Sequence, residues 1–334
     1  MSERYHLLDF MKFIAIFGVI FVHFEWPEVF GSVLSNIGLI GVVLYFIISG
    51  YFSYSPDDNV SCGKYLKHFK KNGIQFLIAI AVYTAVSAIC YLIKGDIASW
   101  LGNFRNPVIY LRMLVLGDFD VINGSIFWFM SSILYTYLVL ALFRKLHIMK
   151  AAYVLMPVLA ILYVITEIYI ASTDGDWHIY CFFPLRALPF VTLGDFIAFR
   201  MSKASSRKDQ TVLFAILAAA SLVLAVISQT FIPGSIKATT VFRITGAVFA
   251  FLLAVRKPHK KISNAIEFAG ANYTTHIYLY HFIIGFAIVF FFMPDSMDTW
   301  TIGNILLPFI VFILSLILAA VICKTGSVLK KNGK

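Results

Sequence analysis

The sequence predicts an all-α integral membrane protein with about ten transmembrane helices and with both termini in the cytoplasm. Three observations lead there: an excess of apolar residues, apolar runs of span length, and a one-sided distribution of lysine and arginine. Of the 334 residues, 60% are apolar and only 13% charged, against about a half and about a quarter in globular domains. A soluble protein with so large a core would still need a charged shell, and there is too little charge to build one. Aromatic residues reach 16%, with 33 Phe, and such rings suit lipid-facing surfaces and interfacial belts.

A span needs about 20 predominantly apolar residues. Ten stretches qualify, at about 8–26, 36–54, 74–93, 126–146, 151–171, 182–199, 211–231, 239–255, 274–293 and 303–323. The first is too long for the apolar core of a signal peptide, and no small-residue cleavage site follows Phe24-Glu25-Trp26-Pro27, so it reads as a signal-anchor helix. A shorter piece at about 107–116 carries Arg112 and precedes the polar run Asp118–Gly124; it reads as interfacial or re-entrant. The longest stretch outside the spans, about 94–125, has room for a small outer subdomain. The whole chain, 1–334, reads as a single membrane-embedded domain.

Basic residues test the count. With the N-terminus inside, 21 of the 27 Lys and Arg fall in cytoplasmic segments. The outer loops hold Lys94, Arg105, Arg112 and Lys237, and Arg186 and Arg243 fall within spans. This is the asymmetry of the positive-inside rule, and missing one span would scramble it. The net charge of +10 then faces an anionic inner leaflet and requires no nucleic-acid partner. Acidic residues lean the other way: Glu25, Glu28, Asp96, Asp118, Asp120, Asp174, Asp176, Asp295 and Asp298 lie in or beside predicted outer loops. Cys62, Cys90, Cys181 and Cys323 match no zinc-ligand spacing and no disulfide framework, so they read as free thiols and no metal is expected. Nothing in the sequence sets an oligomeric state.

Ionisable groups within spans are costly and face a cavity or a partner. They are Asp9, Lys12, His23, Arg186, Asp195, Arg243, His276 and His281. Lys12 and His23 are eleven positions apart, within about 20° of three full turns, so they share one face about 16 Å apart along the axis. Asp9, three positions before Lys12, falls near the same face. Such a stripe can hold an anionic cofactor at its cytoplasmic end and carry proton chemistry at the other; alternatively, Lys12 snorkels to the inner headgroups and His23 to the outer ones. Arg186 and Arg243 enter their spans from the outer side and either flank an anionic or sugar-like ligand or pair with carboxylates such as Asp174 or Asp176. Asp195 is half a turn round from Arg186 and is expected to contact another helix. His281, in Ile277-Tyr278-Leu279-Tyr280-His281, is either a hydrogen-bonded packing residue or part of a site. Ser49-Gly50 permits close helix approach or eases a break in the helix.

Together these residues resemble the membrane-bound acyltransferase family 3, the bacterial multi-pass O-acyltransferases. Leu8-Asp9-Phe10-Met11-Lys12 followed by His23 is similar to the opening signature, a basic residue, ten intervening residues, then His. Gly41 through Ser49-Gly50-Tyr51 resembles a glycine-led, Phe-rich run. Phe127-Trp128-Phe129-Met130 is similar to a Trp-Phe-Leu element, and Tyr273 through Tyr280-His281 to a late Tyr-Leu-x-His element. The sequence departs from the pattern at Lys12 and at Lys70-Lys71, where arginines are commoner, and at Thr275 and His276.

The resemblance implies a membrane O-acyltransferase of the bacterial cytoplasmic membrane, with acetyl the expected group. The donor would be acyl-CoA, expected to be acetyl-CoA, docking from the cytoplasm with its phosphates near Lys12, Lys70 and Lys71. His23 would act as general base or transient acyl carrier, with Asp9 positioning Lys12. Arg186, Arg243, His281 and Trp128 would bind the acceptor, a cell-surface glycan or its lipid-linked sugar precursor. Two other functions fit a ten-span chain with buried charges: a transporter or permease of a small solute, although no matching halves are evident, and a non-catalytic membrane domain.

Overall fold

The structure, a computed structural model, describes residues 4–26, 28–173, 175–203, 209–232, 236–256, 259–292 and 302–332. Asp174, Arg207, Lys208, Lys257, Asp295, Asp298 and Lys334 lie outside them, as do the side chains of Glu28, Lys237, Lys330 and Lys331. The described residues form helices and connecting turns, with no strand among them. In chain order the helices are α1 (His6–His23), α2 (Glu28–Ser53), α3 (Asp58–Lys94), α4 (Ile97–Asn103), α5 (Pro107–Val115), α6 (Phe127–Lys145), α7 (Met149–Thr173), α8 (His178–Cys181), α9 (Phe183–Arg186), α10 (Leu188–Lys203), α11 (Thr211–Phe231), α12 (Ile236–Arg256), α13 (Asn264–Asn272), α14 (Thr274–Phe292) and α15 (Ile302–Asn332). A single 3₁₀ turn, Asp120–Ile122, precedes α6.

Among the described residues nine helices are long and apolar enough to cross a membrane. They match nine of the ten expected spans. Large apolar side chains stand exposed along them, such as Leu77, Val154 and Val212, a surface that water would not tolerate but lipid does. The stretch expected at 182–199 differs. It is divided into α9 and the 16-residue α10. The reason lies in Pro184 and Pro189, each at the start of a new helical piece, because proline lacks the N–H that would continue the helix before it.

Helix α3 also departs from expectation. The expected span begins at about residue 74, with Lys64, Lys67, Lys70 and Lys71 in a loop. Instead one helix of 37 residues starts at Asp58. Its N-cap is Asp57, whose carboxylate accepts the backbone N–H of Asn59 at 2.8 Å and Val60 at 3.4 Å, and Gly95 ends it in the left-handed conformation with φ 80°. At 1.5 Å per residue α3 is about 56 Å long, well beyond the ~30 Å hydrocarbon layer. The four lysines therefore ride on a helical extension of the span. The piece at 107–116, read as interfacial or re-entrant, forms the nine-residue α5, too short to span a bilayer.

The chain gathers into two compact units, residues 1–44 with 209–334, and residues 45–208. Helix α2 contributes to both. In the first unit α1 packs on α13 and α14, α11 pairs with α12, and α14 pairs with α15. Phe17 and Phe21 of α1 meet Phe309 and Phe312 of α15 through tilted and edge-on ring contacts at 4.9–6.3 Å. In the second unit α3 packs on α6, and α7 on α10. There the end of α2 meets α10 at backbone distance. A Cβ on Gly50 would lie 1.8 Å from the Val191 carbonyl oxygen, and one on Gly194 would lie 1.9 Å from that of Ile47. Gly50 thus serves close approach, and α2 runs through it without a break.

Gly194→Ala is expected to lower the stability of the protein by at least about 1–3 kcal/mol, since backbone atoms cannot yield to the new methyl group. Gly63→Ala, where nothing lies within 4 Å, is expected to leave stability unchanged or raise it by up to about 1 kcal/mol. Thermal unfolding of the two variants in detergent, beside the parent, checks both.

Candidate active site

The entrance to α1 is tied down electrostatically. Asp9 lies in the first turn, where a carboxylate favours the helix dipole. It is buried, receives Lys12 Nζ at 2.7 Å, and receives Arg4 Nε at 3.1 Å. Lys12 is therefore held at the helix by an ion pair. Helix α13 locks onto this end: a Cβ on Gly270 would lie 1.9 Å from the Asp9 carbonyl oxygen. Glu267 of α13 bonds His6 Nδ1 at 2.7 Å and accepts the N–H of Ile262 and Ser263 at 2.7 and 3.2 Å. The bond from Ile262 N–H, aided by His6 and Ser263, outweighs burial and holds the Glu267 carboxyl below its ordinary value.

His23 is the last residue of α1. Its ring centroid lies 5.3 Å from that of His281, tilted by 46°, and 5.3 Å from that of Phe282. His281 is fully buried on α14. Its Nδ1 lies 2.8 Å from the Tyr278 carbonyl oxygen and 3.2 Å from that of Ile277. A carbonyl only accepts, so Nδ1 carries the proton and the neutral ring keeps a lone pair on Nε2. That Nε2 is buried without a hydrogen-bond partner. His281 is thus a hydrogen-bonded packing residue, anchored to the backbone, and its ring stands against that of His23. Asp9 is about 21 Å from His23 along the helix, so it acts on Lys12 and not on the imidazole. Between Lys12 and His23 the same stripe passes the buried residues Ile16 and Val19.

The other expected site residues fall into separate groups. Arg243, in the first unit, donates from Nε to Asn36 Oδ1 at 2.8 Å and from Nη2 to Gln229 Oε1 at 2.9 Å, while Asn36 Nδ2 donates to Gln229 Oε1 at 2.7 Å. In the second unit Arg186, at the break before α10, is buried between two rings. Its guanidinium carbon lies 4.8 Å from the Trp128 centroid and 5.0 Å from that of Tyr163. Cation–π attraction and burial against flat faces suit guanidinium. Glu167, one turn beyond Tyr163 on α7, is buried, and its Oε2 has no hydrogen-bond partner. Lys70 and Lys71 are exposed on the extension of α3.

Asp195 does contact other helices. It is fully buried, accepts Tyr65 Oη at 2.7 Å on one oxygen, and accepts Tyr153 Oη at 2.6 Å and Arg144 Nη2 at 2.5 Å on the other. Arg144 also reaches Asp58 Oδ1 at 2.6 Å. In the sequence Arg144 reads as one more cytoplasmic loop cation; in the fold it is buried and joins α3, α6, α7 and α10.

Asp176 pairs with Arg112, at 2.6 Å, and not with Arg186 or Arg243. Arg112 Nη2 also holds Asp118 Oδ2 at 2.6 Å. Burial would raise the Asp176 carboxyl, but hydrogen bonds from His178 and Arg112 prevail and hold it below its ordinary value. His178 is buried beside Asp118, Asp120 and Asp176. Burial alone would lower the imidazole, but the hydrogen bonds and charges of these carboxylates hold it above its ordinary 6.5.

The residues that sequence reasoning missed are Glu167, Tyr65, Tyr153, Arg144 and His178. Glu167 carried a usable signal, a carboxylate in the middle of an expected span. The others become visible only when remote helices meet.

The fold is that of an all-α multi-pass membrane protein, with an Asp–Lys pair at one end of its first helix and two neighbouring imidazoles at the other. The chain belongs to acyltransferase family 3: the family described as an acyltransferase domain matches residues 5–324, nearly the whole chain. It is thus a membrane acyltransferase. Comparison with curated proteins and with solved structures finds no match.

Arg144→Met is expected to destabilise the second unit by about 3–5 kcal/mol, because it leaves Asp195 buried and uncompensated. Adding Asp195→Asn is expected to restore much of the loss. Thermal unfolding and the yield of monodisperse protein in detergent measure the difference; equal loss in the single and double variants would contradict the pairing.

Proposed function

We propose that the protein is an O-acyltransferase that moves an acyl group, acetyl by preference, from cytoplasmic acyl-CoA to a hydroxyl of a cell-surface polysaccharide or its lipid-linked precursor. The membrane would be the bacterial cytoplasmic membrane, with both termini inside. The observation that carries the proposal is His23 at the end of α1, 5.3 Å from His281, with no hydrogen bond from any described residue to occupy its ring.

In this reading the phosphates of the donor meet Lys12 at the entrance of α1. The pantetheine arm spans the ~16 Å along α1. His23 takes the proton of the acceptor hydroxyl as the oxygen attacks the thioester carbonyl; the C–S bond breaks, and the proton passes on to the departing thiolate. If His23 carries the acyl group itself, the same carbonyl is attacked first by the imidazole and then by the acceptor. His281, with its tautomer set by Tyr278, keeps an Nε2 lone pair toward which His23 would turn an N–H in the reacting complex.

His23→Ala is expected to reduce acyl transfer by about 10²–10⁴-fold, the range general-base removal covers, while thermal stability and detergent behaviour stay near those of the parent. The assay is release of CoA thiol from acetyl-CoA by proteoliposomes supplied with envelope glycan or lipid-linked saccharide. Parent-level turnover in the variant would sink the assignment. Solute uptake by the same vesicles without acyl-CoA would favour a permease instead.

A further inference from the structure

The second unit contains a set of ligand atoms for which acyl transfer has no use. Asp118 and Asp120, at the 3₁₀ turn before α6, and His178, at the start of α8, each place one ligand atom within 4.8 Å of the other two. Acidic side chains gather on protein surfaces without any ion, so the carboxylates alone argue little. The imidazole argues more. His178 is only 3% exposed, its Nε2 makes no hydrogen bond, and that atom faces Asp118 Oδ1 and Asp120 Oδ2, each at 3.5 Å.

We infer that Asp118, Asp120 and His178 form a divalent transition-metal site, with Zn²⁺ the best-matched ion. Four lines of geometry carry this. The 3.5 Å separations are too long for charge-assisted hydrogen bonds, which run at about 2.7–2.9 Å. They match the edge of a tetrahedron around zinc, about 3.3–3.5 Å for bonds of 2.0–2.1 Å. The far side of the imidazole is built as metal-ligating histidines are: Nδ1 meets Asp176 Oδ1 at 2.8 Å, a carboxylate contact that sets the tautomer and directs the Nε2 lone pair toward the site. That carboxylate is itself braced, because Arg112 Nη2 bonds Asp176 Oδ2 and Asp118 Oδ2, each at 2.6 Å.

Charge and access agree. Asp118 and Asp120 together neutralise a dication, and Arg112 neutralises Asp176. Asp118 Oδ1 already accepts the Asp120 backbone N–H at 3.0 Å and retains a second lone pair. The Asp120 side chain is 53% exposed, and a cavity of about 190 Å³ beside it, lined by Asn103, Ile109 and Arg112 together with Asp118, Asp120 and Val121, opens the fourth position to water. Three protein ligands with one open position, one of them imidazole, favour zinc over magnesium or calcium, which take oxygen ligands in greater number. The rival occupant is a proton on Nε2, which would satisfy the same charges. The inference does not rest on the acyl-transfer reading.

The full-length protein, purified in detergent and stripped with chelator, is titrated with Zn²⁺ and with Mg²⁺ by calorimetry, with thermal unfolding measured in parallel. One equivalent of Zn²⁺ is expected to bind and to raise the melting temperature, with Mg²⁺ silent at the same concentrations. Asp120→Asn, at a side chain 53% exposed, is expected to weaken Zn²⁺ binding at least tenfold. Asp176→Asn is expected to weaken it 10–100-fold, as loss of the carboxylate behind a ligating histidine does. No Zn²⁺-dependent heat or melting shift in the parent would overturn the site and leave the proton as its occupant. Zn²⁺ binding unchanged in Asp120→Asn and in His178→Gln would overturn it as well, and Mg²⁺ binding as strong as Zn²⁺ would overturn the choice of metal.

Discussion

Every backbone N–H and C=O within the hydrocarbon must find its partner inside the protein, and this constraint shapes everything else in the chain. It admits helices and excludes loose connections at membrane depth. The few irregular places then mark where something compensates. The stretch from Phe182 to Pro189 is one. Two prolines, Pro184 and Pro189, interrupt the helix there, and Arg186, the last residue of α9, is buried between Trp128 and Tyr163. The same constraint makes buried charge costly, and two of the buried carboxylates come with cationic partners: Asp9 with Lys12 and Arg4, and Asp195 with Arg144, joined by two tyrosines. Buried ion pairs add little net stability, because desolvation offsets their attraction. Their effect is to fix which helices meet and in what register.

The parts of the fold legible in the sequence are those encoded locally. Span positions follow from runs of apolar residues, and nine recur as long helices. Close helix approach at Gly50 follows from a missing side chain, visible in the residue type alone. What was not legible depends on pairing across long separations. Asp195 was recognisable as an intramembrane acid, but its partners Tyr65, Arg144 and Tyr153 are 130, 51 and 42 positions away. Arg144 sits at a span end, where hydropathy and charge rules describe it well as a loop cation; only the packing of α6 against α10 converts it into a buried ligand of a carboxylate. The extension of α3 was hidden for a related reason. Lysines mark the end of the apolar run but do not end a helix; the Asp57 cap and Gly95 do.

The candidate sites divide the same way. Lys12 and His23 share a helix, so their spacing alone put them on one face. His281 was recognisable as a buried imidazole, yet its standing against His23 needed the contact between α1 and α14. The cluster at Asp118, Asp120 and His178 is further from local legibility. A zinc pattern is usually sought in cysteine spacing, and here all four cysteines lie elsewhere while two ligands are carboxylates and the third is 58 positions further on.

The paired imidazoles show what this architecture adds to a single histidine. A lone imidazole at a helix end can rotate, and its tautomer follows whatever solvent or ligand it meets. His281 cannot do either, because its Nδ1–H is committed to the Tyr278 carbonyl within the same helix. Its remaining lone pair is fixed in direction and has no hydrogen-bond partner. Were His23 to turn one N–H toward that lone pair, its other nitrogen would be left unprotonated, the state a general base or an acyl carrier requires. The backbone of α14 would thus set the reactive face of a residue on α1, in the way a carboxylate does in a catalytic triad, but without placing a second charge inside the membrane.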